Sequence, residues 1–447
     1  MIRVAILEVG LESCQTAAVI RLNHDARISY RFLDSVVRRP VRFRFNFVTH
    51  GRWVDTRRRL DLQTITKRPQ PDIRAIARLI PPDGNLVQGQ NEVALHPALV
   101  EAVNEVIASG LNSYSFFEGV DELRHAVAEK LRVFNGVNVD PDRRPLELII
   151  TPGATGGLVT FAHAFLEGAS AVVFEPYYPY HKKTLETCDA RIDVVKLRGD
   201  ELALDLDELR RVCRAGKARA EYPLKAIIVC SPANPTGRVF SRDELTAIVG
   251  CAEEFDLLLV ADEVYEHFTL SAEDHVSVAT LPGAFERTIS VGSFSKSWAV
   301  SGWRLGYAYG PGHLLGKLAP LGNIYYVCTP TPLQHALSRV LLTHPGYYDQ
   351  LRADFAKKRG ILAGALERSG FGVYPSRSSF YAWARIPERF HDASELNEFL
   401  IKEVGVAGVP GSAFMDDPRE DVYMRLCFAR EDKMLEAAAG RIERALS

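Results

Sequence analysis

From about residue 70 onward, short apolar runs alternate with stretches of helical period. Five runs, LELIITP, SAVVFEP, KAIIVCSP, DLLLVADE and RTISVGS, are rich in aliphatic and β-branched residues. A strand covered on both faces reads in this continuous way, because neither of its sides meets water. Between the runs, TGGLVTFAHAFLEG, DLDELRRVCRAG and SRDELTAIVGCAEEF repeat apolar residues at helical spacing, as a helix with one buried face requires. The last opens with Ser241, followed three residues later by Glu244, the spacing of a capping box. The alternation predicts an α/β fold whose mostly parallel sheet carries helices on both faces. Upstream, PDIRAIARLI has helical spacing and leads through the Pro/Gly-rich turn PPDGNLVQG into an extended segment. After about residue 330 the rhythm changes: PLQHALSRVLL and ADFAKKRGILAGALERSG are followed by SSFYAWARI, SELNEFLIKEV, DVYMRLCFA and a terminal helix. These mixed short elements predict a second, smaller α+β domain.

Length agrees with more than one domain, since 447 residues exceed what a single core usually serves. The expected division is an extension over 1–60, a first part of the small domain over 61–100, a large domain over 101–330, and the rest of the small domain over 331–447. No repeat with a period of roughly 20–50 residues is present, which sets solenoids aside. Lys plus Arg number 54 and Asp plus Glu 56, so no global field draws the chain to nucleic acid or to a membrane surface. No uninterrupted apolar run reaches the roughly 18 residues of a membrane span, and Glu8 interrupts any signal-peptide core. The seven cysteines are scattered, odd in number and without a CxxC pair. That pattern is neither a disulfide framework nor a zinc site, so no metal is expected and the compartment is read as cytoplasmic. RRPVRFRFNFVTHGRWVDTRRR is arginine-dense and interleaved with aromatics, a composition that can touch nucleic acid. Lacking a sustained period, it is read instead as a disordered or loosely packed extension.

In α/β sheets ligands gather beyond the carboxyl ends of the strands, and the polar residues there carry the chemistry. LELIIT runs into Gly153-Ala154-Thr155-Gly156-Gly157 and a helix. Small residues at a helix start let backbone N–H groups reach an anion, and Thr155 adds a hydroxyl, although tight packing explains the glycines equally. Tyr177-Tyr178-Pro179-Tyr180-His181 follows SAVVFEP and offers a flat face for stacking a ring, where a core tyrosine reads the same. Asn234, between prolines in SPANPTG, presents a rigid amide, or is part of a plain turn. Asp262 stands at the end of DLLLVAD with Tyr265 three residues on; such a carboxylate either caps a helix or pairs with a protonated nitrogen. Ser293-Phe294-Ser295-Lys296 ends RTISVGS, and Arg304 lies eight residues further. A lysine buried there is costly to keep charged, and desolvation converts it into an amine nucleophile. Ser293 and Arg304 suit a phosphate.

Taken in order, NSYSFFEGVDELR, EPYYPYHKK, SPANPTGRVF, ADEVYEHF, HVSVATLPGAFERTISVGSFSKSWAVSGWRLGY and VYMRLCFAR resemble blocks of the class I/II aminotransferases of pyridoxal-phosphate (PLP) fold type I. The likeness is nearest to the kynurenine–oxoglutarate and glutamine transaminases and covers roughly residues 70–447. It implies a large domain with a mostly parallel, seven-stranded-type sheet flanked by helices, plus a smaller α+β domain. It also implies that Lys296 carries the cofactor as a Schiff base and shuttles the proton, and that Asp262 holds the pyridine nitrogen protonated. Tyr265 and Asn234 would bond the phenolic oxygen, and Tyr178 would stack on the ring. Ala154, Thr155, Ser293 and Arg304 would form the phosphate cup. Tyr114 matches a tyrosine that reaches the phosphate of a neighbouring subunit, which implies a homodimer with shared sites. Arg425 matches the arginine for the substrate carboxylate, and Gly89 the glycine whose backbone lines it.

Two departures stand out. The usual GQGxPD pattern reads VQGQNE here, so the loop after Gly89 differs. The lysine that pairs with acidic substrates in some aspartate transaminases would fall at Thr155. Tyr177, Tyr326, Phe380 and Tyr381 are read as lining a pocket for aromatic or neutral side chains. The reaction implied is ping-pong transfer of an amino group between an L-amino acid and a 2-oxo acid. A β-lyase acting on cysteine conjugates would use the same site. A PLP-binding regulator of DNA would need a winged helix, and the first sixty residues show no pair of amphipathic helices. No nucleic-acid or membrane partner is expected.

Overall fold

The computed structural model describes residues 3–11, 14–22, 46–49, 52–55, 71–271, 274–416 and 421–446. They fall in two units, Met1–Pro69 and Gln70–Ser447. In the first, β1 (Arg3–Leu11) pairs antiparallel with β2 (Cys14–Leu22), and β3 (Asn46–Thr49) with β4 (Arg52–Asp55). The last pair lies inside the arginine-dense stretch that shows no sustained period, because strands of four residues are too short to repeat an alternation. The rest of the expected 1–60 extension lies outside the described residues.

The second unit is built on a seven-stranded sheet of order β5-β11-β10-β9-β8-β6-β7. Its strands are β5 (Leu148–Thr151), β6 (Ser170–Glu175), β7 (Arg191–Lys196), β8 (Leu224–Cys230), β9 (Leu258–Asp262), β10 (Thr288–Ser293) and β11 (Gly306–Tyr309). All run parallel except β11, which is antiparallel to both β10 and β5. Every residue of β5, β6, β10 and β11 is buried, as the uninterrupted apolar runs require. Side chains leave the strands alternately to two cores. Ile228 packs with Leu158, Phe161 and Leu318, whereas its neighbours Ile227 and Val229 pack with Leu209, Leu245 and Ile248 on the other face. The capping box at the start of helix Arg242–Glu254 is complete. Ser241 N donates to Glu244 Oε2 at 2.9 Å, and Glu244 N donates to Ser241 Oγ at 3.2 Å.

Beyond β9, a buried network anchors the segment that bears the site. Lys130 Nζ, on helix Asp121–Lys130, donates to Glu266, to Asn135 Oδ1 (2.8 Å) and to Tyr307 Oη (3.0 Å). Burial lowers the Lys130 pKa, and the Glu266 carboxylate opposes that shift. A buried pair of this kind breaks at high cost when one partner is removed, so the turn following Asp262 is firmly held.

A second sheet, antiparallel and of order β12-β13-β15-β14, comprises β12 (Gly372–Val373), β13 (Tyr381–Arg385), β14 (Val409–Pro410) and β15 (Tyr423–Cys427). Helices Tyr347–Arg368 and Asp432–Leu446 cover it through Leu362, Leu366, Leu435 and Ile442. The segment after residue 71 joins the same sheet: Leu86 N donates to Ala407 O at 3.1 Å, and Cys427 N to Leu86 O at 2.7 Å. Ala77, Ile80 and Val87 pack with Trp383 and Val409. Among the described residues, no helix is long and apolar enough to cross a membrane.

Candidate active site

The carboxyl ends of β6, β8, β9 and β10 open on a cavity of about 520 Å³ that also meets the second sheet through Tyr381 and Arg425. Lys296 enters it from the short helix Phe294–Ser297, one turn beyond β10. That helix starts where it does because Ser293 Oγ accepts from Ser295 N at 3.1 Å, a side-chain cap for a free helix-end donor. Lys296 Nζ donates to Gly89 O at 2.7 Å. Desolvation lowers its pKa to about 8, and the Arg304 and Arg425 cations act in the same direction against Cys427 and Asp262. Near neutrality a fraction of this amine is therefore uncharged, which an ordinary lysine does not achieve.

Asp262 is the last residue of β9, and its buried carboxylate points into the cavity rather than capping a long helix. Asp262 Oδ2 lies 2.8 Å from His181 Nε2, and Oδ1 accepts from Val264 N at 3.4 Å. His181 arrives on helix Pro179–Thr187, which opens with a proline at its first position, where the missing N–H costs nothing. Tyr178 precedes that helix; its ring stands edge-on to His181 (centroids 5.4 Å apart) and lies along Tyr180 (5.3 Å). Tyr265 Oη sits 3.0 Å from Tyr381 Oη. Burial raises both phenols, Tyr381 to about 12, so both remain protonated donors.

Arg425, in the middle of β15, is the cation on the opposite wall. Nη1 donates to Asn234 Oδ1 at 2.9 Å and Nη2 to Val87 O at 2.7 Å, both neutral acceptors. Its guanidinium lies 4.3 Å from the Tyr381 ring centroid and 4.8 Å from that of Phe414. Buried Nε has no hydrogen-bond partner. The positive charge is thus held in place without being neutralised, and it faces the cavity.

The third cation, Arg304, lies beside the start of helix Gly153–Phe165. Nη1 donates to Ser301 O at 3.0 Å and Nη2 to Pro152 O at 3.2 Å. Gly153 has φ +67°, and a Cβ there would come within 2.6 Å of Arg304 Nη2, so only glycine lets the two meet. Arg304 itself sits at φ +55°, a conformation that costs about 1 kcal/mol or more in a residue with a side chain. Ala154, Thr155, Ser293, Ser295 and Arg304 line this corner together. Ser295 Oγ is buried there with no hydrogen-bond partner.

Of the residues singled out in the sequence, Gly89, Ala154, Thr155, Tyr178, Asn234, Asp262, Tyr265, Ser293, Lys296, Arg304 and Arg425 line one cavity. Tyr114 does not. It is 85% exposed and borders a separate groove with Phe116 and Thr331. Among the four aromatics expected in a side-chain pocket, Tyr381 lines the cavity. Tyr177 is its neighbour's opposite: it turns away, and its Oη donates to Asp416 Oδ1 at 2.7 Å. Phe380 alternates with Tyr381 along the chain and packs into the core against Tyr265 and Phe268. Tyr326 folds back over Gly322 on its own helix. His181 and Ser295 were not singled out. The signal for His181 was its place three residues after Tyr178 at a helix start, which brings both to one side.

An amine that sheds its proton readily, set between separate cationic walls at the strand ends of an α/β sheet, defines an enzyme of amine–carbonyl chemistry on anionic compounds. Residues 83–442 match the model of the class I and II aminotransferases, and the chain belongs to that family. It is a PLP-dependent aminotransferase, and its substrates are amino acids and oxo acids. It is 31% identical over 350 residues to the aspartate aminotransferase of Pyrococcus abyssi, covering 77% of this chain and 87% of that one. It is 32% identical over 371 residues to a probable N-succinyldiaminopimelate aminotransferase of Mycobacterium tuberculosis (80% and 91% covered). Human kynurenine–oxoglutarate transaminase 3 is 27% identical over 387 residues, with 79% and 83% covered. The solved structure of the M. tuberculosis N-succinyldiaminopimelate aminotransferase superposes with a TM-score of 0.78 at 31% identity, covering 86% of this chain and 99% of that one.

Proposed function

We propose that the cavity performs ping-pong transamination of an L-amino acid, with Lys296 as the residue that carries the cofactor. The observation that supports this most is the Lys296 amine, hydrogen-bonded to Gly89 O and sharing one cavity with Asp262, Arg304 and Arg425. Three further features fit PLP. The corner of Ala154, Thr155, Ser293 and Arg304 is a helix start with a guanidinium beside it, suited to a phosphate, and the orphan Ser295 Oγ offers it another hydroxyl. Asp262 is a buried carboxylate held at one oxygen by His181, suited to a protonated ring nitrogen. Tyr178 would offer a ring face for stacking, and Asn234 and Tyr265 would offer polar hydrogens to the phenolic oxygen. When bound, PLP supplies an aldehyde that condenses with amines and a ring that draws electrons from the adjacent carbon.

The protein's part follows from its own groups. Arg425 binds the substrate carboxylate as a planar fork and fixes the orientation of Cα. Lys296 Nζ, once freed by the substrate amine, would accept the proton from Cα and pass it on to the cofactor rather than back to Cα, with Gly89 O as its hydrogen-bond partner. Asp262 would place a fixed carboxylate beside the ring nitrogen, a preorganised charge of the kind that stabilises charge developing in a reaction. Oxo-acid release and the entry of a second oxo acid run the same groups in reverse. Ile73, Tyr180 and Tyr381 in the cavity wall support an aromatic or neutral substrate side chain. The expected small domain of residues 61–100 with 331–447 is supported, in its described part from residue 71 on, by the Leu86 bonds to Ala407 and Cys427; residues 61–70 lie outside the described residues. Tyr114 and Phe116, 85% and 80% exposed, suit burial against a second copy, with Tyr114 reaching that copy's phosphate.

A screen of amino donors against 2-oxo acids on purified protein tests this reading. Aromatic donors should yield paired amino-acid and oxo-acid products. Pyruvate and ammonia from cysteine conjugates, with no paired product, would instead make the site a β-lyase.

A further inference from the structure

Arg430, three residues past the end of β15, is fully buried and does not line the cavity. Its Nε donates to Asn85 O at 2.6 Å, Nη2 to Gln88 O at 2.7 Å, and Nη1 to Gln90 O at 2.9 Å and Ala429 O at 3.1 Å. The nearest carboxylate, on exposed Glu92, is 3.5 Å from Nη1. A guanidinium can be kept out of water only if its donors are satisfied. Here three carbonyls of one loop, together with that of Ala429, satisfy them, so burial of Arg430 selects the loop conformation in which Asn85, Gln88 and Gln90 converge. Asn91 adds a second tie: Nδ2 donates to Lys296 O at 2.8 Å, and Oδ1 accepts from Val93 N at 3.2 Å. Between these ties stand the two carbonyls that touch the site's main cations, Val87 O on Arg425 Nη2 and Gly89 O on Lys296 Nζ, each at 2.7 Å. Gly89 cannot be stiffened by a side chain, because a Cβ would fall 1.8 Å from Tyr381 Oη, and glycine backbone is the costliest to order.

We propose that Arg430 and Asn91 are positioning residues: they fix the Asn85–Glu92 loop so that its carbonyls aim Lys296 and Arg425. This rests on the reading that those two residues serve cofactor and substrate. It also accounts for VQGQNE, since side-chain bonds from Asn91 and Arg430 stiffen the loop after Gly89.

The test uses the cofactor-loaded protein and its Arg430→Met, Arg430→Lys and Asn91→Ala variants. Arg430→Met should keep bound PLP, raise KM for the amino acid about tenfold or more, and speed amide exchange over residues 86–91. Arg430→Lys, which cannot reach three carbonyls at once, should fall between it and wild type. Asn91→Ala should raise KM several-fold, the worth of about one neutral hydrogen bond. Should Arg430→Met fail to fold, Arg430→Lys and Asn91→Ala decide. Variants that hold PLP with unchanged KM and exchange, even at a lowered melting temperature, overturn the proposal alone. Wild-type protein that binds no PLP overturns the reading beneath it.

Discussion

The two halves of the cavity are built in different ways. On the large-sheet side, Asp262 and Ser293 end buried strands, Lys296 follows a turn later, and Thr155 opens a helix. The sheet sets their spacing, and each motif is local in the chain. On the small-sheet side, Arg425 depends on Asn234 and on Val87, which are 191 and 338 residues away. That wall is an assembly of hydrogen bonds between distant segments. The first half should therefore lose chemistry when altered and keep its shape, whereas the second should lose affinity and alignment.

Asp262→Asn is the strongest way to break the first half. Asn nearly preserves size and hydrogen bonding but removes the charge that favours a protonated ring nitrogen. The variant should retain PLP and bind substrate, yet remove the Cα proton several powers of ten more slowly, one for about each 1.4 kcal/mol lost. A substrate deuterated at Cα should show a larger kinetic isotope effect in the variant than in wild type. Turnover near the wild-type rate with no added isotope effect would make Asp262 a structural partner of His181 only.

Arg425→Lys probes the second half. The charge stays but the planar fork is lost, so kcat/KM should fall by a factor equivalent to roughly 2–3 kcal/mol while the cofactor's absorption spectrum is unchanged. An unchanged kcat/KM would assign the carboxylate to another residue.

A smaller effect sharpens the contrast from the apoprotein. The folded-state pKa of Lys296, about 8, lies below the unfolded value near 10.4. Between those values the unfolded chain binds more protons, so this group's contribution to stability rises with pH from about 8 to about 10.4 and is lost as pH falls through that window. Denaturation of wild type and Lys296→Met across that range should show wild type gaining relative stability on the order of 2 kcal/mol. Parallel curves would mean that the amine is not desolvated.

Much of this fold is legible from pattern alone, for a physical reason. β5, β6, β8, β9 and β10 are covered on both faces and so read as unbroken apolar runs. β7 carries exposed Arg191 and Lys196, and β11 reads Gly306-Tyr307-Ala308-Tyr309 without a branched aliphatic residue; neither forms such a run. Strand order is not legible either, because pairing depends on crossovers rather than on local composition. Asp262 stands out because it ends an apolar strand with a charge, and Lys296 because it follows one within a turn, whereas Arg425 is placed by the family resemblance. His181 and Arg430 do not stand out, because what gives them meaning lies 81 and about 340 residues away.

The central claim is that Lys296 is the residue that holds the cofactor. Purified protein should be yellow, lose that colour on borohydride reduction, and carry the added mass on the peptide containing Lys296. The label on a different lysine, or protein that binds no PLP, would contradict the account.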